Sequence, residues 1–249
     1  QAEDGIRDCL LSRGLGDVYK RQVYKDMHIV EKNLINIKER IERTCSEFDR
    51  DPNKVKLIVV TKKFDKEALK PILDCGHLLF GENKVQEASY KWSDILKLYK
   101  NLEIHMVGGL QSNKINEALS LFTCIHSVDR YKILEGINKN LKEDSSLKDI
   151  FIQVNISNES SKGGIGVPEV DSFLNDAKQY GKINILGLMT MPPPKEEPSV
   201  YFALLNKLAK KNNLKYLSMG MSNDFETAIA LGATHIRVGE AVMGPRAKF

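Results

Sequence analysis

The sequence predicts an α/β fold, a single (β/α)8 TIM-type barrel preceded by an N-terminal helix. Three observations carry that expectation. Short apolar runs rich in β-branched residues alternate with helix-period segments, the signature of a parallel sheet. Eight such runs joined by seven crossovers suit a closed barrel better than an open doubly wound sheet. The chemically unusual residues Lys62, Glu82, Asn83, Gly108, Asp129, Asn155, Met189 and Gly239 fall at strand C-terminal ends, the rim that hosts chemistry in such barrels. With 249 residues, 42% of them hydrophobic, the chain is long enough for one barrel domain, expected over 23–249.

The elements follow in order. Gln1 to Gln22 shows no clean period and is set outside the fold as a non-native or disordered extension. Its end, Asp17-Val18-Tyr19-Lys20-Arg21-Gln22, resembles the translation of a transposon end used in preparing sequencing libraries. From about Met27 to Phe48, Ile29, Leu34, Ile37, Ile41 and Cys45 recur at helical steps and mark an amphipathic helix. Strands are expected at Lys56–Lys62, Leu78–Asn83, Glu103–Gly108, Cys124–Asp129, Asp149–Asn155, Ile183–Met191, Tyr216–Gly220 and His235–Gly239. Helices fit between them at Lys66–Cys75, Val85–Tyr99, Gln111–Leu121, Tyr131–Leu141, Val167–Tyr180, Val200–Asn212 and Phe225–Leu231. The segment Met191–Ser199 holds Pro192-Pro193-Pro194, which neither a helix interior nor a central strand accepts, and reads as a rim loop.

Composition removes several function classes. The formal charge of +4 is spread along the chain, so no nucleic-acid partner is expected. Cys9, Cys45, Cys75 and Cys124 form no CxxC, and the five histidines do not join them at metal-ligand spacing, so neither a zinc site nor a disulfide is expected. No apolar run is long enough to span a bilayer and no secretory leader opens the sequence, so a reducing, cytoplasmic setting is expected.

Two strands carry the candidate chemistry. In Lys56–Lys62 the two-residue period puts Lys62 on the face of Ile58 and Val60. A lysine there is costly to keep charged, and a lowered pKa would give the neutral amine that attacks an aldehyde to form a Schiff base. A rim lysine in a salt bridge is the commoner fate of such a residue. In His235-Ile236-Arg237-Val238-Gly239 the polar Arg237 shares a face with Gly239 and is expected inside the barrel. Loops after strands seven and eight often bind phosphate, and here they read Ser218-Met219-Gly220-Met221-Ser222 and Gly239-Glu240-Ala241. Asn223, with Glu226 three residues on, resembles a helix start beside that phosphate site. His105 and His126 sit inside strands and read as hydrogen-bonded wall residues, Asp129-Arg130 as a helix cap, and Glu82 as a loop anchor or a ligand contact.

Taken together these segments resemble the family of pyridoxal 5′-phosphate (PLP) binding, or PLP homeostasis, proteins. The likeness runs from near Asn33 to Gly244-Pro245-Arg246. It rests on Val60-Thr61-Lys62, Phe80-Gly81-Glu82-Asn83-Lys84-Val85-Gln86-Glu87, Leu110-Gln111-Ser112-Asn113-Lys114, Gln153-Val154-Asn155, Ser161-Lys162-Gly163-Gly164, Gly187-Leu188-Met189, Ser218-Met219-Gly220-Met221-Ser222 and Arg237-Val238-Gly239. The resemblance implies a barrel like the N-terminal domain of bacterial alanine racemases, with Lys62 as the imine-forming lysine and Arg237 at the pyridine nitrogen. It also implies that Met221, Ser222, Gly239 and Glu240 bind the phosphate largely through main-chain groups, with Ser218 close by, and that Asn83 and Met189 line the ring pocket. Two departures stand out: Thr61 where the family usually has serine, and Gly109 where many members have histidine.

An arginine at the ring nitrogen disfavours its protonation and makes the ring a poor electron sink. The sequence also stops at Phe249, just after strand eight, without the added domain from which alanine racemases draw a second base. The expected function is therefore PLP homeostasis without efficient catalysis: a monomer that binds PLP and passes it to apo-enzymes that depend on it. A weak amino-acid racemase with Lys62 as its base is the alternative reading.

Overall fold

In a computed structural model the described residues are 27–159 and 162–245. The expected extension 1–22, Cys9, Ser161 and Arg246 lie outside them.

The chain opens with α1 (Ile29–Glu47), capped by a reciprocal box in which the His28 ring accepts from a helix amide and Glu31 accepts from the His28 amide. Its apolar stripe of Leu34, Ile37, Ile41 and Cys45 is buried, with Leu34, Ile37 and Ile41 each contributing roughly 1.5–3 kcal/mol against leaving it in water. The barrel strands are β1 (Lys56–Val60), β2 (Leu79–Glu82), β3 (Glu103–Met106), β4 (Cys124–Val128), β5 (Asp149–Asn155), β7 (Asn184–Met189), β8 (Tyr216–Ser218) and β9 (His235–Val238), with a two-residue strand β6 (Ile165–Gly166) on the flank of β5. All pairs are parallel, and the β1–β9 and β4–β5 pairings close the cylinder. Around it run α2 (Lys70–Asp74), α3 (Val85–Trp92), α4 (Ile95–Leu98), α5 (Ile115–Leu121), α6 (Tyr131–Asn140), α7 (Val170–Ala177), α8 (Pro198–Lys211), α9 (Phe225–Ala230) and α10 (Glu240–Met243).

The alternating strand period sorts the buried residues into two compartments. Outward residues such as Val59, Phe80, Ile104, Ile125, Ile152 and Ile236 join the helices in one apolar core. The lumen is mixed, with Ile58, Val60 and Val107 in one cluster, Cys124, Phe151 and Met189 in another, and the buried polar residues His105, His126, Ser218, His235 and Arg237.

The expected eight-strand barrel and leading helix are present, with differences at element ends. Apart from β5, which ends at Asn155 as expected, strands stop one or two residues early where the rim turns begin, so Lys62 leaves β1 and lies in a turn. The segment Val85–Tyr99 divides into α3 and α4, where the Ser93 hydroxyl donates back to the Ser89 carbonyl. Helix α8 starts at Pro198 because proline suits a first turn and Glu197 caps the Ser199 amide at 3.3 Å. The pairs expected to start helices do lie at helix starts, with Arg130 at the N-cap position of α6 and Glu226 in the first turn of α9, but their side chains bond elsewhere. Glu226 forms a bidentate pair with Arg40 of α1 at 3.0 and 2.8 Å, and Arg130 donates to the Leu110 carbonyl at 2.8 Å. Asn33 of α1 also holds the Val242 carbonyl of α10 at 3.0 Å, so α1 clamps both short helices that follow the last two rim loops.

Candidate functional site

Lys62 is positioned from below by buried polar groups. The Thr61 amide donates to the Gly81 carbonyl at 3.0 Å, and the Thr61 hydroxyl donates to Glu82 Oε1 at 2.7 Å. The same carboxylate oxygen takes the Trp92 indole N–H at 3.0 Å and faces the Lys91 ammonium at 2.8 Å, which also donates to the Thr61 carbonyl at 2.7 Å. Lys63 then turns with φ 66°, its amide on Glu87, so the chain reverses within two residues of Lys62. Glu82 is fully buried and anchors this turn. Its second oxygen, Oε2, has no hydrogen-bond partner among the described residues.

Lys62 borders a cavity of about 600 Å³ at the C-terminal rim. Seven of the nine expected site residues line it: Lys62, Asn83, Met221, Ser222, Arg237, Gly239 and Glu240. Gly108 must lack a side chain, because a Cβ there would sit 2.4 Å from the Asn83 carbonyl oxygen; Gly109 next to it faces open space. One wall is the expected rim loop, through Met191, Pro192, Pro193, Pro194, Glu196 and Pro198.

The other two expected residues do not line the cavity. Met189 packs inside the barrel with Cys124 and Phe151. A register shift in the β5–β7 pairing inserts Leu186 as an extra residue and changes which later residues turn inward. Ser218 is buried and serves Arg237: its hydroxyl accepts from the Arg237 guanidinium, which donates a second bond to the Thr190 carbonyl at 3.0 Å. Burial pushes the Arg237 pKa down to about 10, opposed by the charge of Asp224. The guanidinium thus stays a cation at neutral pH, fixed on the cavity wall.

The rim loop after β8 closes on itself. Gly220 has φ 94° and packs so tightly that a Cβ would lie 2.7 Å from that of Ala228. Asp224, raised in pKa by burial, accepts the Met221 amide, so that amide is engaged inside the protein. Among the described residues the Ser222 and Asn223 amides donate to no group. Across from them the Ser222 hydroxyl accepts from the Ala241 amide at 3.3 Å and ties the two loops together.

His105 and His126 are buried wall residues, as their strand positions suggest, and burial lowers the pKa of both. Sequence reasoning missed Lys91, Thr190 and Asp224. Lys91 lies on a helix whose polar positions are ordinarily solvated, and only its partner Glu82, three strand residues beyond the apolar start of β2, hints that it points inward.

Comparison with known proteins places these features in context. Residues 33–247 match the family model described as alanine racemase, N-terminal domain. The pyridoxal phosphate homeostasis protein of Aquifex aeolicus is 34% identical over 224 residues, covering 86% of this chain and 97% of that protein. The structure of PipY from Synechococcus elongatus PCC7942 with PLP bound superposes with a TM-score of 0.70 at 31% identity, over 82% of this chain and 100% of that one. Alanine racemase of Corynebacterium glutamicum shares the fold, with a TM-score of 0.63 at 16% identity, over 86% of this chain and 59% of the racemase. Among the described residues no helix is long and apolar enough to cross a membrane.

Proposed function

The chain belongs to the alanine racemase N-terminal-domain family and, within it, to the pyridoxal phosphate homeostasis proteins, and from that membership we propose that it binds PLP at the barrel rim, held as a Schiff base on Lys62, and buffers and delivers the cofactor without efficient catalysis of its own. The observation that carries the reading is one cavity of about 600 Å³ bordered by a primary amine, Lys62, a buried guanidinium, Arg237, and the two loops that follow β8 and β9. These residues fit the cofactor's three chemical parts: an amine for an aldehyde, a cation for a ring nitrogen, and main-chain donors for a phosphate. When bound, PLP supplies an aldehyde that condenses reversibly with a primary amine.

The chain's own residues divide the work. Lys62 supplies the amine, held in place by the Thr61, Glu82 and Lys91 hydrogen bonds beneath it. Arg237 takes the ring nitrogen, oriented by Ser218 and Thr190. Ser222, Met221, Gly239 and Glu240 form the phosphate cup, with the Ser222 and Asn223 amides as donors and Met221 as cover. Asn83, fixed by Gly108, walls the ring, and Met189 supports the site from inside the barrel.

A fixed cation at the ring nitrogen opposes its protonation, and an unprotonated ring withdraws electrons weakly. That supports a carrier over an enzyme. The apo forms of PLP-dependent enzymes are the assigned recipients, the protein is assigned as a cytoplasmic monomer, and the barrel domain is assigned to 23–249. The test is spectroscopic and kinetic. Purified protein mixed with PLP gains an imine absorbance that Lys62→Ala abolishes, and it racemises no amino acid. Turnover at about 1–1,000 per second, the range of ordinary enzymes, would overturn the carrier reading in favour of a racemase.

A further inference from the structure

The lumen holds a second group of side chains that the rim site leaves unused. His105 and Cys124 are register partners on β3 and β4. His126 lies two residues beyond Cys124, so the strand period turns both to the same face. All three are buried, and one imidazole nitrogen from each histidine and the Cys124 Sγ lie within 4.8 Å of one another. His105 Nδ1 and His126 Nε2 are 3.0 Å apart, near the separation that two bonds of about 2.0–2.1 Å to one tetrahedral zinc ion require. Sequence spacing gave no hint of this cluster; only the pairing of β3 with β4 brings it together.

The outer nitrogen of each ring is already engaged. His126 Nδ1 lies 2.7 Å from the Ser218 hydroxyl oxygen, and His105 Nε2 lies 3.5 Å from the Glu103 carboxylate. Metal-bound imidazoles are held in this way, with the far N–H on a carboxylate or another oxygen, which fixes the ring and its tautomer. A cavity of about 470 Å³ at the N-terminal end of the barrel reaches His105 and Cys124 and supplies a route from solvent. Lys56, Lys100 and Lys148 line it together with Glu103 and Asp149, so its walls carry both signs of charge.

We propose that His105, Cys124 and His126 form a zinc-type metal site of two nitrogens and one sulfur, with a fourth position open to this cavity. The soft thiolate and the imidazoles select zinc or cobalt over magnesium or calcium. Binding forms one sulfur–metal bond and releases the Cys124 thiol proton to solvent.

The test is a titration of the full chain with cobalt(II) chloride without oxygen. The site predicts a thiolate-to-cobalt charge-transfer band and intense visible bands of four-coordinate cobalt, saturating at one metal per chain and displaced by zinc chloride. Cys124→Ala abolishes the charge-transfer band and Cys75→Ala keeps it. Glu103→Gln, on a half-exposed side chain that leaves the core untouched, weakens binding roughly 10- to 100-fold, the usual effect of losing an outer-shell partner. No band in the wild type, a band surviving in Cys124→Ala, or an unchanged affinity in Glu103→Gln overturns the site. The Glu103 arm decides the matter should Cys124→Ala fail to fold.

Discussion

The Lys91 ammonium donates to the carbonyl oxygen of Thr61 at 2.7 Å, and so a buried helix residue sets the backbone from which Lys62 projects. The ammonium also faces Glu82 at 2.8 Å, with both side chains almost wholly buried. Removing one partner of such a pair leaves the other charge without compensation. Lys91→Met is therefore expected to lose about 3–5 kcal/mol of stability, read by urea unfolding, and to weaken PLP binding through a loosened Thr61–Lys62 turn. The double variant Lys91→Met with Glu82→Gln should recover part of that loss, since Glu82 no longer carries a fully buried, unpaired charge and Glu87, the other partner of Lys91, is partly exposed.

Gly108 and Gly109 are neighbours with opposite tolerances. A Cβ at Gly108 meets the Asn83 carbonyl at 2.4 Å, whereas one at Gly109 meets nothing within 4 Å. Gly108→Ala is expected to cost roughly 1–3 kcal/mol by overpacking and to weaken PLP binding by displacing Asn83. Gly109→Ala should change stability by no more than about 0.5 kcal/mol. Thermal unfolding of the two variants, with PLP titrations, separates the cases.

His77 supplies a pH dependence that has no connection to the rim. It is 9% exposed, its ring contacts the Leu79 carbonyl at 2.7 Å, and its pKa falls from 6.5 to about 4, chiefly by burial and to a lesser degree by Lys38. Above pH 6.5 the ring is neutral in folded and unfolded chains alike and adds no slope. Between 6.5 and about 4 the unfolded chain binds a proton that the folded chain refuses, so stability falls as pH falls. The loss totals about 3 kcal/mol at just under 1.4 kcal/mol per pH unit. Unfolding free energies of His77→Gln across that window should lack this contribution.

The parts of this protein that sequence made legible are those governed by local period. Lys62 and Arg237 were placed on the inner face by counting along strands, and both line the cavity. The proline run declared its loop because a proline triplet fits no regular element. What stayed hidden depended on pairing between distant segments. Met189 is turned into the lumen by the β5–β7 register shift at Leu186, but it packs on Cys124 and Phe151 and does not line the cavity. Glu226, which reads as a helix cap, is taken by Arg40 nearly two hundred residues earlier in the chain. His105, Cys124 and His126 became neighbours only through the β3–β4 register.

The central assignment is the covalent hold of PLP on Lys62, and the most direct measurement is a peptide map after borohydride reduction of the protein mixed with PLP. A pyridoxyl mass on the peptide containing Lys62, absent from Lys62→Ala, is the predicted result. A label confined to other lysines, or no label in the wild-type protein, would contradict it.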